Sequence, residues 1–142
     1  MPVLTPSARE VVTSGKLAHL ATIDADGTPQ VTCVWVGLDG DDIVSAHLRT
    51  SQRKLRNVAR DPRVTLSIET EHVNDWGLQE YLVVHGTATV TEGGAPELLQ
   101  ELAHVYLGPD VTFPTMPDPP PGVVMRVTPT RISGIGPWAE GR

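Results

Sequence analysis

The chain of 142 residues holds one cysteine, Cys33, and only six aromatic side chains. A lone thiol makes neither an internal disulfide nor a cysteine-based zinc site, so neither staples nor structural zinc are expected to hold the fold. No apolar run approaches the roughly 20 residues that cross a bilayer, and no membrane partner is expected. The first residues, Met-Pro-Val-Leu-Thr-Pro-Ser, lack a basic stretch followed by an apolar block. A secretory signal peptide is therefore not expected, and the cytoplasm is the expected compartment. His19, His47, His72, His85 and His104 form no pair at i,i+2 or i,i+4, which leaves a histidine metal site unsupported. Gly-x-Ser-x-Gly, a phosphate-binding Walker loop and a dinucleotide fingerprint are also missing. What remains is a 39% apolar chain, rich enough in Val, Leu and Ile to bury a core and short enough for one domain, 1–142.

The net charge of -6 is unevenly distributed. Arg49, Arg53, Lys54, Arg56, Arg60 and Arg63 stand in one 15-residue window, opposed only by Asp61, so that window carries +5 and the remainder -11. Nucleic-acid binding needs an extended positive footprint and is not expected; one small anionic ligand suits this distribution better. Nine of the 11 basic residues are Arg, a bias that a GC-rich genome would also produce.

Thr5-Pro6-Ser7-Ala8-Arg9-Glu10 reads as a helix start, with Ser7 three before Glu10, and predicts a helix over about 6–14. Strands are expected at 17–23 and 29–36 around an Asp-Ala-Asp-Gly turn, and a third at 43–47 after Asp39-Gly40-Asp41-Asp42, the three forming a meander. Ser51 suits the N-cap of a helix ending at Asp61-Pro62, with Leu55, Val58 and Ala59 on one face. Further strands are expected at 63–69, 81–91 and 123–128, the last continuing after Pro129. A helix is expected at 96–106 with Leu98, Leu99, Leu102 and Val105 as its apolar stripe. Six of the 13 prolines crowd into 109–121, which must be a loop or an extended piece on the surface. Six or seven antiparallel strands with few helices suggest a mainly β fold, a small closed barrel.

On the 51–60 helix, Arg53, Arg56 and Arg60 share one arc with Lys54 at its edge, while Leu55 and Ala59 face the other way. Cations at a helix start oppose the dipole, where a helix shaped for stability alone would carry acids. With free backbone N–H groups, Arg53 and Lys54 would form a phosphate cradle, set against the plain alternative of a solvated basic face. His47 differs from the other histidines because its strand leads into this helix. Cys33, in mid-strand, is expected to be a buried inert thiol. Trp35 reads as core, whereas Trp76 and Trp138 could wall a planar ligand.

The blocks Leu-Ala-Thr-Ile-Asp-Ala-Asp-Gly-Thr-Pro-Gln-Val (20–31), Ser-Gln-Arg-Lys-Leu-Arg-Asn-Val-Ala-Arg-Asp-Pro-Arg-Val-Thr-Leu (51–66) and Val-His-Gly-Thr-Ala-Thr-Val (84–90) resemble the pyridoxamine 5'-phosphate oxidase-like split β-barrels. Within that group they look most like the deazaflavin reductases that use coenzyme F420. The resemblance runs in order from about 6 to 135. It implies a six- to seven-stranded antiparallel split β-barrel with short helices, paired as a homodimer with a flavin-like cofactor at each end of the interface. It maps the family's phosphate ligands onto Arg53 and Lys54, with Asn57 on the same helix. The strand carrying Gln30, Thr32, Cys33 and Val34 would meet the cofactor ring. Ala46 and His47, at the end of the next strand, and Tyr81, five before Gly86, match further cofactor-contacting positions.

The chain departs from the vitamin B6 oxidases, whose C-terminal Arg-x-His segment it lacks, so B6 oxidation is not expected. FMN needs one phosphate cradle, while F420 adds a tail of several carboxylates. Arg49, Arg56 and Arg60 exceed what one phosphate requires, which favours F420 over FMN. The expected function is hydride transfer between F420 and a planar, conjugated small molecule, with an FMN flavoprotein or a non-catalytic cofactor-binding protein as alternatives. No residue stands out as catalytic; Tyr81, His47 or solvent could supply a proton.

Overall fold

The computed structural model describes residues 2–139. Helix α1 (Pro6–Val12) precedes a hairpin of β1 (Ala18–Ile23) and β2 (Pro29–Val34), then β3 (Gly37–Asp39) and β4 (Asp42–His47). Helix α2 (Arg53–Arg60), β5 (Arg63–Val73), β6 (Gln79–Glu92), α3 (Ala95–Tyr106) and β7 (Val123–Ile135) follow, and a 3-10 turn spans Pro137–Ala139. Thr5, rather than Ser7, caps α1: its Oγ1 accepts from the Ala8 N–H at 3.2 Å, with Pro6 at the first turn. No described helix is long and apolar enough to cross a membrane.

The strands form one antiparallel sheet in the order β2-β1-β5-β6-β7-β4-β3. Alternation along each strand decides which face is buried. Ala18, Leu20 and Thr22 of β1, Val64, Leu66 and Ile68 of β5, Leu82 and Val84 of β6, and Met125 and Val127 of β7 all turn inward. Burying each aliphatic side chain of this size contributes about 1.5–3 kcal/mol, which makes this shared interior the main stabilising term. The long β6–β7 ladder carries Pro129 at a register shift between His85 and Gly86, where a missing N–H costs no ladder bond.

The expected meander is not formed, and the barrel is split rather than closed. β1 and β2 pair from Ala18 with Val34 to Ile23 with Pro29, but β4 pairs with β3 and β7. The expected turn at 39–42 is present, yet the strand it folds back on is the short β3. β2 and β3 are thus the two edges of the sheet and also neighbours in sequence. The chain crosses the seam through Trp35 and Val36.

Tyr106, the last residue of α3, fastens this crossing. Its hydroxyl accepts from the Val36 N–H at 2.9 Å and lies 3.0 Å from the Lys16 carbonyl and 3.2 Å from that of Val36. Its ring stacks on Trp35, with centroids 5.3 Å apart and planes at 13°. Gly37 follows because the chain presses onto α3: a Cβ there would stand 2.9 Å from the Leu102 side chain. The buried stripe of α3 is Ala95, Leu99, Leu102 and Ala103, while Val105 is exposed, contrary to expectation. Residues 109–121 carry no helix or strand, as their prolines require.

Replacing Tyr106 by Phe leaves the Val36 N–H, in a residue only 2% exposed, without an acceptor. A loss of about 1–3 kcal/mol is expected. A lower urea midpoint at unchanged slope would show it, and an unchanged midpoint would refute the role of the clasp.

Candidate functional site

Helix α2 begins without the expected Ser51 cap. Gln52 occupies the cap position, its side chain makes no capping bond, and the first turn contains no acid. Arg53 and Lys54 therefore add two cations to a helix end whose N–H groups have no capping side chain. The inward face consists of Leu55, Asn57 and Val58, with Ala59 exposed instead of buried. Asn57 is 2% exposed, and its Nδ2 donates to Asp24 Oδ1 at 2.8 Å and Thr22 Oγ1 at 3.0 Å, with Gln30 Oε1 at 3.3 Å. Its carbonyl oxygen accepts from Arg60 at 3.1 Å, and Arg60 also donates to the Ile23 carbonyl. These bonds fix the rotation of α2 against the β1–β2 hairpin.

Where α2 meets the seam, a cavity of about 230 Å³ opens. Cys33, Val34 and Trp35 form one side, Ala46 and His47 a second, and Leu99 with Phe113 a third, and Lys54 reaches in from α2. Lys54 Nζ donates to Thr32 Oγ1 at 3.3 Å. Burial pulls the Lys54 pKa below its ordinary value, while the nearby Cys33 works in the other direction. An anion placed here would meet a cation already stripped of part of its water. His47 is 6% exposed, with Nε2 2.9 Å from Ser45 Oγ. Burial first and the Lys54 charge second push its pKa down to about 4, against the Gln52 side chain, so the imidazole is neutral at pH 7.

The cavity brings Cys33, Val34, Ala46, His47 and Lys54 together, with Thr32 beside them. Cys33 is exposed rather than buried, because β2 is a sheet edge and its outer face is open. Gln30 and Asn57 belong to the network beneath α2, and Arg53 lies on its flank, in a second cavity of about 450 Å³ with Asp24, Asp26, Arg56 and Arg60. Arg56 donates to the Ser51 carbonyl at 2.6 Å and Arg60 to that of Ile23, so some of their donors are committed to the protein itself while their charge remains. Tyr81 is not in the cavity: it sits on β6, three strands across the sheet from β2, with 38% exposure.

Trp76 is 87% exposed in the β5–β6 turn, while Trp138 is 8% exposed within the core cluster rather than walling a ligand. A hollow of about 430 Å³ between α1 and the ends of β5 and β6 is lined by Glu10, Glu71 and Glu80 against Lys16 alone, the wrong sign for an anion. The sequence reading missed Phe113 and Gln100. The Gln100 side chain bonds Val111 O at 2.9 Å and accepts from Phe113 N at 3.1 Å, which seats Phe113 against Trp35. A single Phe inside a proline-rich loop was the available signal.

His47 also sets a pH dependence. An unfolded histidine takes up a proton near pH 6.5 and the folded one only near pH 4, so between those values the unfolded chain binds more protons. The stabilising contribution is complete above pH 6.5 and lost as the pH falls toward 4. From pH 7 to pH 5 this amounts to about 2 kcal/mol, and His47→Gln should flatten that part of the stability curve. Parallel curves for the variant and the wild type would contradict the assignment.

The family profile "Pyridoxamine 5'-phosphate oxidase" matches residues 4–136. No curated protein matches in sequence. A solved F420 reductase is 28% identical over 88% of this chain and 94% of its own, with a TM-score of 0.71. A conserved hypothetical protein from Mycobacterium tuberculosis is 24% identical over 94% of this chain and 86% of its own, with a TM-score of 0.70. An FMN-binding protein from Syntrophomonas wolfei shares the fold at 12% identity, over 94% and 86% of the two chains, with a TM-score of 0.68. A match over nearly all of the described chain, on the seven-stranded split barrel seen here, makes this protein a member of the pyridoxamine 5'-phosphate oxidase family.

Proposed function

We propose that the protein is an oxidoreductase that seats the phosphate of a deazaflavin, coenzyme F420, at the start of α2 and serves a planar, conjugated small-molecule substrate in the cytoplasm. The observation that carries this reading is Lys54, a half-desolvated ammonium at an uncapped helix start, facing a cavity lined by Cys33, Ala46 and His47. The likeness to an F420 reductase at 28% identity supports the choice of cofactor. The donor set suits a phosphate ester lying across the start of α2: the Lys54 ammonium stands in the seam cavity, the Arg53 guanidinium in the cavity on the flank, and the first-turn N–H groups between them belong to the same helix end. When bound, the deazaflavin would supply or accept the hydride.

The chain's own residues hold and orient. Lys54 and Arg53 bind the anion, Asn57 fixes the angle of their helix, and Thr32, Cys33 and Val34 present the β2 edge to the ring. Leu99, Phe113 and Trp35 keep water from one side of the cavity. His47, neutral at pH 7, is a packing and hydrogen-bonding partner and not an acid. Tyr81 would reach a cofactor only across an interface between two copies. The outer face of the sheet, with Val31 at 59% and Tyr81 at 38% exposure, is the surface we assign to that homodimer.

FMN is the second reading, and one observation favours it. Arg56 and Arg60 already serve the protein's own carbonyls, which ties down their guanidinium groups and reduces the donors left for a polyanionic tail. Titrating FMN and F420 by fluorescence quenching separates the two. Lys54→Ala and Arg53→Ala should each weaken the preferred cofactor about tenfold to a hundredfold, as expected for one charge-assisted bond. Failure of the wild-type chain to bind either cofactor, or full affinity in the double variant, would sink the proposal. For the dimer, sedimentation should show two copies for the wild type and one for Val31→Asp; a wild-type monomer would end the interface assignment.

A further inference from the structure

The cavity on the flank of α2 holds both signs of charge, and its residues are not equally free. Arg53 is open: its side chain is 60% exposed, and its only ion pair among the described residues is to Asp24 Oδ2 at 3.7 Å. That distance is well beyond the roughly 2.7–2.9 Å of a charge-assisted hydrogen bond. Asp24 is held differently. Its side chain is 20% exposed, and its other oxygen accepts from the buried Asn57 amide at 2.8 Å. The carboxylate is thus fixed by the protein interior, while its second oxygen faces the guanidinium.

The other charges nearby have different partners. Asp26 accepts from the Thr28 N–H at 2.9 Å and also stands in the field of Arg53, without an ion pair to it. Arg56 and Arg60 donate to backbone carbonyls. Arg53 is therefore the cation of this flank that forms an ion pair among the described residues, and the carboxylate it faces is Asp24.

We propose that Asp24 is a built-in counter-ion for Arg53, a specificity-determining residue that an anionic ligand must outcompete. This rests on the reading of Arg53 and Lys54 as an anion seat. Because Asn57 anchors the carboxylate, Asp24 cannot swing away when a phosphate arrives. Its charge stays beside the incoming anion and opposes it in proportion to the ligand's own charge. The pair also makes Arg53 a weaker anchor than Lys54, which has no carboxylate partner among the described salt bridges.

The test is Asp24→Asn, which removes the charge and keeps an acceptor oxygen for Asn57. Binding of FMN, F420 and uncharged riboflavin is measured by fluorescence at about 20 mM and about 300 mM salt. At low salt FMN and F420 should bind about three- to tenfold more tightly than to the wild type, F420 gaining at least as much, with riboflavin unchanged. The gain should shrink at high salt and vanish in an Arg53→Gln background. Unchanged or weaker FMN and F420 binding at unaltered melting temperature overturns the counter-ion, as does an equal gain for riboflavin.

A measurement independent of that variant's folding is the rank of two others. Arg53→Gln should cost FMN less affinity than Lys54→Gln, and the reverse order overturns the proposal. A wild-type chain that binds neither cofactor overturns the anion seat and the counter-ion together. A wild-type chain that binds, yet does not tighten on Asp24→Asn, overturns the counter-ion alone.

Discussion

Seven strands share one sheet, yet its two ends do not pair, and the two edge strands are joined by only two residues. Trp35 and Val36 carry the chain from β2 to β3, so every other feature of the barrel depends on holding that crossing in place. A crossing residue has no sheet neighbour to satisfy its backbone, and an unmet buried amide costs as much as several well-made surface contacts contribute. A tyrosine hydroxyl answers this need because it can accept and donate at once. With the seam pinned there, β2 keeps an open outer face, β4 ends beside it at His47, and α2 closes the lower side. The cavity is a by-product of a barrel that does not close.

Helix α2 is a poor helix by local criteria. It has eight residues, no side-chain cap, no first-turn acid and two adjacent cations at its positive end. Isolated helices of this length do not persist in water. Leu55 and Val58 bury its inner face, and the buried Asn57 joins it to Thr22, Asp24 and Gln30. The unfavourable electrostatics at its start are tolerated because tertiary contacts, not propensity, make the helix. Stability is sacrificed locally where positive charge is useful to a ligand.

Local signals were the legible ones. Asp-Pro stopped α2 where expected, Asp-Ala-Asp-Gly turned the first hairpin, and alternation placed β5, β6 and β7, because each depends on a few adjacent residues. The clustering of Arg and Lys pointed to α2 without any knowledge of its neighbours. Pairing partners were not legible: β4 could have lain beside β2, and its actual partner β7 is set by contacts between residues far apart in the chain. The exposure of Cys33 follows from β2 being an edge, which is a property of the whole sheet. Asn57 looked like one more polar residue on a basic helix; its role depends on a hairpin 27 to 35 positions away.

Cys33 has a practical bearing on how this molecule can be studied. The sequence contains one thiol, and the fold places it exposed on the rim of the cavity that Lys54 enters. Most proteins need cysteines removed and one reintroduced before a dye or spin label can be attached at a chosen point. Here the unaltered chain already carries a unique attachment point at the mouth of its own cleft, on the same face of β2 as Val31, so a thiol-reactive label would report on that cleft and on whatever covers that face.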